Sequence, residues 1–240
     1  MPEKHYINAV ILSVKETYGK DIPSGASKMG GFPDLPPEIE YPVMTEFTEK
    51  WCNKKTDHYE KSAMQLVAQI NLYELAESGA DVENLLPKTG MLYIFWSGEI
   101  MELESDEYWK IEVVEPDKTA TYKVILWDGD ISSLRRTEPP CPYHSKYFFD
   151  EPDECFTEFA VKFDSHREYK NYKKNSGSNK FFGCPQGEIC PQIDETEVNL
   201  FQFDCYDNFE GCIWKAYWII KKSDLKNLDF SRVLIDFDMD

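Results

Sequence analysis

The fold is decided by two matching stretches, Lys28-Met29-Gly30-Gly31-Phe32-Pro33 and Lys180-Phe181-Phe182-Gly183-Cys184-Pro185. Both read K-x-x-G-x-P. Glycine permits a positive φ and proline fixes the backbone that follows, so each stretch predicts a tight turn. Because the pattern stands once in each half of the chain, it indicates an internal repeat.

Two further landmarks follow each stretch in the same order. The first is an apolar residue, Gln, an apolar residue and Asn or Asp, found at Ala68–Asn71 and at Phe201–Asp204. The second is a glycine before an aromatic strand, at Gly90–Tyr93 and at Gly211–Trp214. The shared order predicts a duplicated unit of about three strands. We therefore expect a single domain over residues 1–240, with pseudo-repeats at about 7–127 and 155–237.

β-Branched and aromatic runs dominate the chain, which predicts a mainly β, α+β fold with a few short helices. Asn71–Ser78 is a predicted helix with an N-capping residue at its start. Asp164–Lys174 is polar, with two tyrosines three residues apart, and is also predicted to be helical. The predicted strands are Ile7–Val14, Leu66–Ile70, Met91–Trp96, Trp109–Val114, Thr121–Trp127, Cys155–Phe163, Leu200–Asp204, Ile213–Ile220 and Val233–Phe237.

Several of these blocks also resemble the YwqG-like family, a bacterial domain of unknown function. Residues 27–36 match its S-K-x-G-G-x-P-x-L-P opening, residues 66–71 its A-Q-I-N strand and residues 86–95 its P-x-x-G-x-L-x-F-F block. Residues 180–192, 200–204 and 224–230 resemble its L-L-G-Y-P…Q, L-x-Q-x-D and D-L…D-F segments. The second loop departs from the pattern, with Phe181, Phe182 and Cys184 in place of Leu, Leu and Tyr.

The resemblance implies a roll-like fold and a cytoplasmic protein, and it implies no established reaction. The residues that carry it are expected to be structural rather than catalytic. They are Lys28, Gly30, Gly31, Pro33, Leu35, Pro36, Pro87, Gly90, Gly183, Pro185, Gln192, Asp204 and Phe230.

The net charge of the chain limits the classes of partner that it is expected to bind. Lys and Arg number 26 against 44 Asp and Glu, for a net charge of −18. Such a field repels nucleic-acid phosphates and anionic membranes, so neither is an expected partner. A basic protein, such as a toxin, is the expected partner, and solubility alone would also explain the charge. The sequence shows no signal peptide and no apolar run long enough to cross a bilayer, so a cytoplasmic location and seven reduced cysteines are expected.

Two groups of residues suggest other sites. Cys141, His144, Cys155 and His166 are candidate metal ligands, but they form one close pair where a structural zinc site usually has two. We expect no metal and no cofactor; the alternative for these residues is a buried thiol and surface histidines.

Gln69 and Gln202 occupy matching places in the two repeats. As buried amides they are expected to bond loop backbone, or alternatively to line a ligand groove between the repeats. No nucleophile elbow or other catalytic motif is present, so no catalytic residue is assigned. The chain is therefore expected to be a binding protein. The alternative is an enzyme of unrecognised mechanism, with a cleft between the two repeats.

Overall fold

The computed structural model describes residues 6–16, 22–51, 56–97, 109–113, 121–143, 158–169, 179–186, 192–204 and 214–239. Strands dominate these ranges, and the helices are short, as the sequence predicts. The helices are α1 (Leu72–Ser78) and α2 (Lys222–Lys226). The strands are β1 (Tyr6–Glu16), β2 (Lys28–Met29), β3 (Asp34–Leu35), β4 (Val43–Trp51), β5 (Thr56–Ala63), β6 (Gln65–Asn71), β7 (Met91–Trp96), β8 (Trp109–Val113), β9 (Tyr122–Trp127), β10 (Arg135–Arg136), β11 (Phe159–Tyr169), β12 (Lys180–Phe182), β13 (Glu197–Asp204), β14 (Trp214–Lys221) and β15 (Leu234–Met239).

Ten strands form one antiparallel sheet in the order β15-β14-β13-β12-β1-β11-β2-β6-β7-β9. At its centre β1 pairs with β11 along its whole length, from Tyr6 opposite Tyr169 to Glu16 opposite Phe159. Outward from this pair, each side has first a short strand and then three longer ones. The short strands are β12 and β2, which carry the lysines of the two K-x-x-G-x-P stretches.

The sheet curls until its two ends meet. Trp96 of β7 packs against Trp218 of β14, with ring centroids 6.3 Å apart, and against Phe237 of β15 at 5.1 Å. The hydroxyl of Tyr122, on β9, donates to the carbonyl oxygen of Val233 at 2.7 Å. The face turned inward by this curl carries the main hydrophobic core, on which the buried side of α1 also packs. The result is a mainly β roll with few short helices.

A second, smaller core lies on the outer face of the sheet. Successive residues of a strand point to opposite faces, so β7 directs Leu92, Ile94 and Trp96 into the main core and its other side chains outward. The outward side chains, Tyr93 among them, pack against Leu35 of β3. Beside this core lie a two-stranded sheet of β3 and β10 and a three-stranded sheet of β5, β4 and β8.

The predicted helix at Asp164–Lys174 is wrong over its described part, because Asp164–Tyr169 belongs to β11. The segment is polar because most of its residues are exposed on the strand. The sequence prediction takes that polarity for the surface of a helix. Each of the segment's residues pairs with β1, and Glu168 is the one buried residue among them. The sequence prediction also omits β4 and β5. Met91–Trp96 is predicted with its observed bounds, and Asn71 caps α1 as expected.

Candidate functional site

The site begins at Lys28, whose side chain is fully buried on β2. Its ammonium group donates to the carbonyl oxygen of Phe32 and, at 2.7 Å, to Oε1 of Glu158. Oδ2 of Asp34 lies 4.0 Å away. Burial lowers the pKa of Lys28, against the opposing effect of the Glu158 hydrogen bond. The lysine thus ties the turn that follows it to the central strand pair.

Two neighbouring side chains hold the far end of the same turn. Gln69 of β6 lies opposite Lys28, and Tyr93 of β7 lies opposite Gln69, so all three share the outer face. Oε1 of Gln69 accepts from the backbone N–H of Asp34 at 2.7 Å, and its Nε2 donates to the carbonyl oxygen of Ala26 at 2.9 Å. The Tyr93 hydroxyl donates to the carbonyl oxygen of Asp34 at 2.7 Å, and burial raises the pKa of Tyr93.

Lys180 is the centre of a matching network in the other half of the sheet. Its ammonium group donates to the carbonyl oxygen of Cys184 and to Oε1 of Glu168, each at 2.7 Å. Gln202 lies opposite Lys180, and its Oε1 accepts from the backbone N–H of Gln186 at 3.0 Å. Tyr217 lies opposite Gln202, and its hydroxyl donates to the carbonyl oxygen of Gln186 at 2.9 Å. Each bond has its counterpart at Lys28.

The residues just before the two lysines also match. The backbone N–H of Asn71, two residues after Gln69, donates to Oγ of Ser27 at 2.9 Å. The backbone N–H of Asp204, two residues after Gln202, donates to Oδ1 of Asn179 at 2.9 Å. A short polar side chain therefore anchors the end of the neighbouring strand in both halves.

The backbone of the two turns follows the same course. Gly30 and Gly31 have φ values of 68° and 66°, and Phe182 and Gly183 have 61° and 73°. Phe182 thus holds a left-handed conformation that a non-glycine residue adopts only at a cost of about 1 kcal/mol or more. Its side chain is buried in the main core, which offsets that cost.

The carboxylates that neutralise the lysines come from different places. A Cβ on Gly31 would lie 2.9 Å from Cβ of Glu158, and a Cβ on Gly183 would lie 2.8 Å from Cβ of Ala9. Glu158, which immediately precedes β11, and Ala9 of β1 therefore occupy corresponding positions. Because alanine has no carboxylate, Lys180 is paired instead with Glu168, which reaches across from β11.

The first half contains an additional ion pair. Nε of Arg136 lies 2.7 Å from Oδ1 of Asp34, and its Nη1 lies 2.7 Å from Oε1 of Glu158. Its Nη2 donates to the carbonyl oxygen of Ile22 at 3.2 Å. Burial opposes ionisation of Asp34, but the hydrogen bond from Gln69 and the charge of the nearby lysine outweigh burial and lower the pKa of Asp34. In the second half the neutral Gln186 stands in place of Asp34.

Most of this site, apart from β1 and residues 22–26, falls within one family model. The family is described as "Domain of unknown function (DUF1963)", and its model matches residues 27–238. The chain belongs to this family. A search of the curated proteins finds no match. Of the helices in the described part of this DUF1963 chain, none is long and apolar enough to cross a membrane.

In this DUF1963 protein, the amides of Gln69 and Gln202 bond loop backbone in their own halves. Leu35 contributes to the smaller core and Phe230 to the main core. Gly90 lies so close to the next strand that a Cβ there would be 2.5 Å from the carbonyl oxygen of Trp127. The two glutamines thus hold loop backbone, whereas Leu35 and Phe230 fill the cores.

The candidate metal ligands are only partly described. Cys141 is half-buried, and burial raises the pKa of its thiol. His166 is exposed on β11. His144 and Cys155 lie outside the described residues, so that set of four stays untested. Within the ranges given above, no three Cys, His, Asp or Glu side chains cluster as a metal site would require.

Sequence reasoning missed the charged partners of the two lysines. Glu158 lies 130 residues from Lys28, and Arg136 lies 102 residues from Asp34. Glu168 is only 12 residues from Lys180, but nothing in its local sequence distinguishes it from the other charged residues. Tyr93 and Tyr217, in contrast, could be predicted from the sequence. Each lies on the aromatic strand that follows the Gln-containing strand.

Proposed function

We propose that this protein is a non-enzymatic binding module that captures a basic protein partner. The observation that carries the proposal is the net charge of −18. Part of the excess of acidic residues is concentrated in one segment, because residues 99–107 contain five acids and no Lys or Arg. Complementary fields of this kind accelerate association and favour basic partners over acidic ones.

The bonding of the two lysine networks supports a binding role over a catalytic one. Lys28 and Lys180 are fully buried, and each is bonded to a carboxylate and to loop backbone. A catalytic lysine needs access to substrate, and these two hold loops on a sheet. The alternative, an enzyme with a cleft between the halves, is favoured by none of the described contacts. A shallow pocket beside Phe182 and Asn8 has a cavity volume of about 10 Å³, room for about one water molecule, whereas ligand sites have roughly 300 Å³ or more.

Three finer statements belong to the same proposal. We infer that the two halves are copies of one unit, supported by their matching hydrogen bonds and backbone angles. We retain the resemblance to YwqG-like proteins, supported by the blocks at residues 27–36 and 180–192. We also retain a cytoplasmic location, which the odd number of cysteines favours.

Affinity capture tests the proposed function. The full chain is immobilised and exposed to lysate of its native organism at low salt, and retained proteins are eluted with a salt gradient and identified by mass spectrometry. We expect a specific basic protein that elutes as the salt screens the interaction. Purified partner should then bind with an association rate that falls as ionic strength rises.

A charge-matched pair of variants serves as the control. One variant carries Glu99→Gln, Glu102→Gln and Glu104→Gln, and the other neutralises three exposed acids elsewhere, Glu77, Glu83 and Glu195. Loss of the partner by the first and not by the second would place the contact at residues 99–107. Retention of no basic protein at any salt concentration would reject the proposed function, and rapid alkylation of one cysteine at neutral pH would then favour the enzyme.

A further inference from the structure

The pocket around Arg136 distinguishes the first half from the second within the described ranges. Three groups surround its guanidinium: the carboxylates of Asp34 and Glu158 and the carbonyl oxygen of Ile22, at 2.7, 2.7 and 3.2 Å. Asp34 is fully buried, whereas the side chains of Glu158 and Arg136 are 24% and 36% exposed. The pocket is therefore formed in the protein and open on one side to solvent.

The second half shows that this ion pair is not needed to hold the loop. There Gln186 replaces Asp34, yet Gln202 and Tyr217 bond its backbone as Gln69 and Tyr93 bond the backbone of Asp34. The first half thus has one additional buried negative charge. That charge is matched by Arg136, which reaches it from the two-residue strand β10.

Without Arg136, Asp34 would lose the cation that lies closest to it and would keep Lys28 at 4.0 Å, and Glu158 would lose one of its cationic neighbours. A buried carboxylate that has lost its closest counter-charge, as Asp34 would, is costly, and it attracts a cation that can also donate hydrogen bonds. The three acceptors are arranged around a planar, multi-donor group. An ammonium ion lacks that fork of donors, so the geometry selects a guanidinium over an amine.

We propose that this pocket is a binding site for an arginine side chain of the basic partner, and that Arg136 is its built-in occupant, displaced when the partner binds. The exchange replaces one guanidinium by another, so the ion pairs in the pocket are conserved. The tethered Arg136 competes at a high local concentration, which restricts entry to a partner that gains contacts elsewhere. The inference rests on the proposed function and names the chemistry of the partner.

A variant that lacks the Arg136 side chain, and so leaves the pocket empty, tests whether the pocket binds arginine. Arg136→Ala is titrated with N-acetyl-arginine amide, with N-acetyl-citrulline amide as the neutral probe of the same shape, and binding is followed by calorimetry and by the rise in Tm. We expect the arginine amide to bind at least about tenfold more tightly than the citrulline amide, because the charged hydrogen bonds are lost with the latter. We also expect binding about tenfold or more weaker in wild type, where Arg136 competes.

Two further variants locate the binding. Arg136→Ala with Glu158→Gln should lose the preference for arginine, whereas Arg136→Ala with Glu83→Gln, altered at an exposed acid beside Asn8, should keep it. Arg136→Gln fills more of the space and is used in the same titration if Arg136→Ala does not fold. Equal binding of the two amides by the vacated variant would overturn the proposal.

The failure of this site is distinguishable from the failure of the proposed function. Capture of a basic protein by wild type, with no arginine preference in Arg136→Ala, would keep the function and reject the pocket. An arginine-selective pocket in a protein that captures no basic partner would keep the pocket and reject the proposed function.

Discussion

Lys28 and Lys180 each donate a hydrogen bond to the carbonyl oxygen of the residue four positions later, at Phe32 and Cys184. In both cases that acceptor immediately precedes a proline. The lysine side chain therefore closes the turn that its own K-x-x-G-x-P stretch forms. This explains why a cation is buried twice in an acidic protein: each ammonium group is satisfied by one carboxylate and one backbone carbonyl.

Gly183→Ala should destabilise the fold through two effects. Its φ of 73° is unfavourable for alanine, and the added Cβ would lie 2.4 Å from Oε2 of Glu168. Gly79→Ala is the matched control, because Gly79 has a φ of 67° and a Cβ there would have nothing within 4 Å. In urea unfolding we expect about 1 kcal/mol of destabilisation at Gly79 and roughly 2–4 kcal/mol at Gly183. Equal losses would show that Glu168 is not packed as described.

Tyr93→Phe and Tyr217→Phe should have similar costs. Each removes a hydroxyl that donates to loop backbone, at Asp34 or Gln186. The expected loss is about 1–2 kcal/mol, because a buried carbonyl oxygen loses a donor. The double variant should show the sum of the two losses, since each tyrosine serves a different turn. Unfolding free energies of the three variants are compared, and strong non-additivity would show that the two turns are coupled.

The acid limb of the stability curve should depend on Asp34. Its pKa is lowered in the folded protein, so its contribution is complete above the unfolded value near 3.8 and is lost as pH falls through the folded pKa. Tm is measured from pH 7 to pH 2 in wild type and in Asp34→Asn. We expect wild type to lose more stability than the variant below about pH 4. Parallel curves would mean that the carboxylate of Asp34 does not sense its surroundings as described.

How much of this structure can be predicted from the sequence depends on how far apart along the chain the interacting residues lie. Local signals suffice for strands such as Met91–Trp96, which are apolar throughout and bounded by glycine or polar residues. They also suffice for the N-cap at Asn71. The strand Asp164–Tyr169 is misassigned because its pairing with β1 depends on residues at the other end of the chain.

The candidate site shows the same limit. The turns and the two glutamines follow from the repeated motifs, since K-x-x-G-x-P and the Gln-containing strands mark them in each half. The ion pairs do not follow, because Glu158 and Arg136 are brought to Lys28 by sheet order and loop packing. The correspondence of Ala9 with Glu158 is visible only in the structure, where each lies next to the matching glycine, Gly183 or Gly31.

We infer that the two lysine networks share one design, with the carboxylates supplied from opposite ends of β11. Glu168→Gln should destabilise the protein by roughly 3–5 kcal/mol, because Lys180 is left buried without its counter-charge. Adding Ala9→Glu places a carboxylate where Glu158 stands in the other half. The most direct measurement is therefore the urea unfolding free energy of Glu168→Gln with and without Ala9→Glu. The account predicts that Ala9→Glu restores at least half of the lost stability in this background and none in wild type. A double variant less stable than Glu168→Gln alone would contradict it.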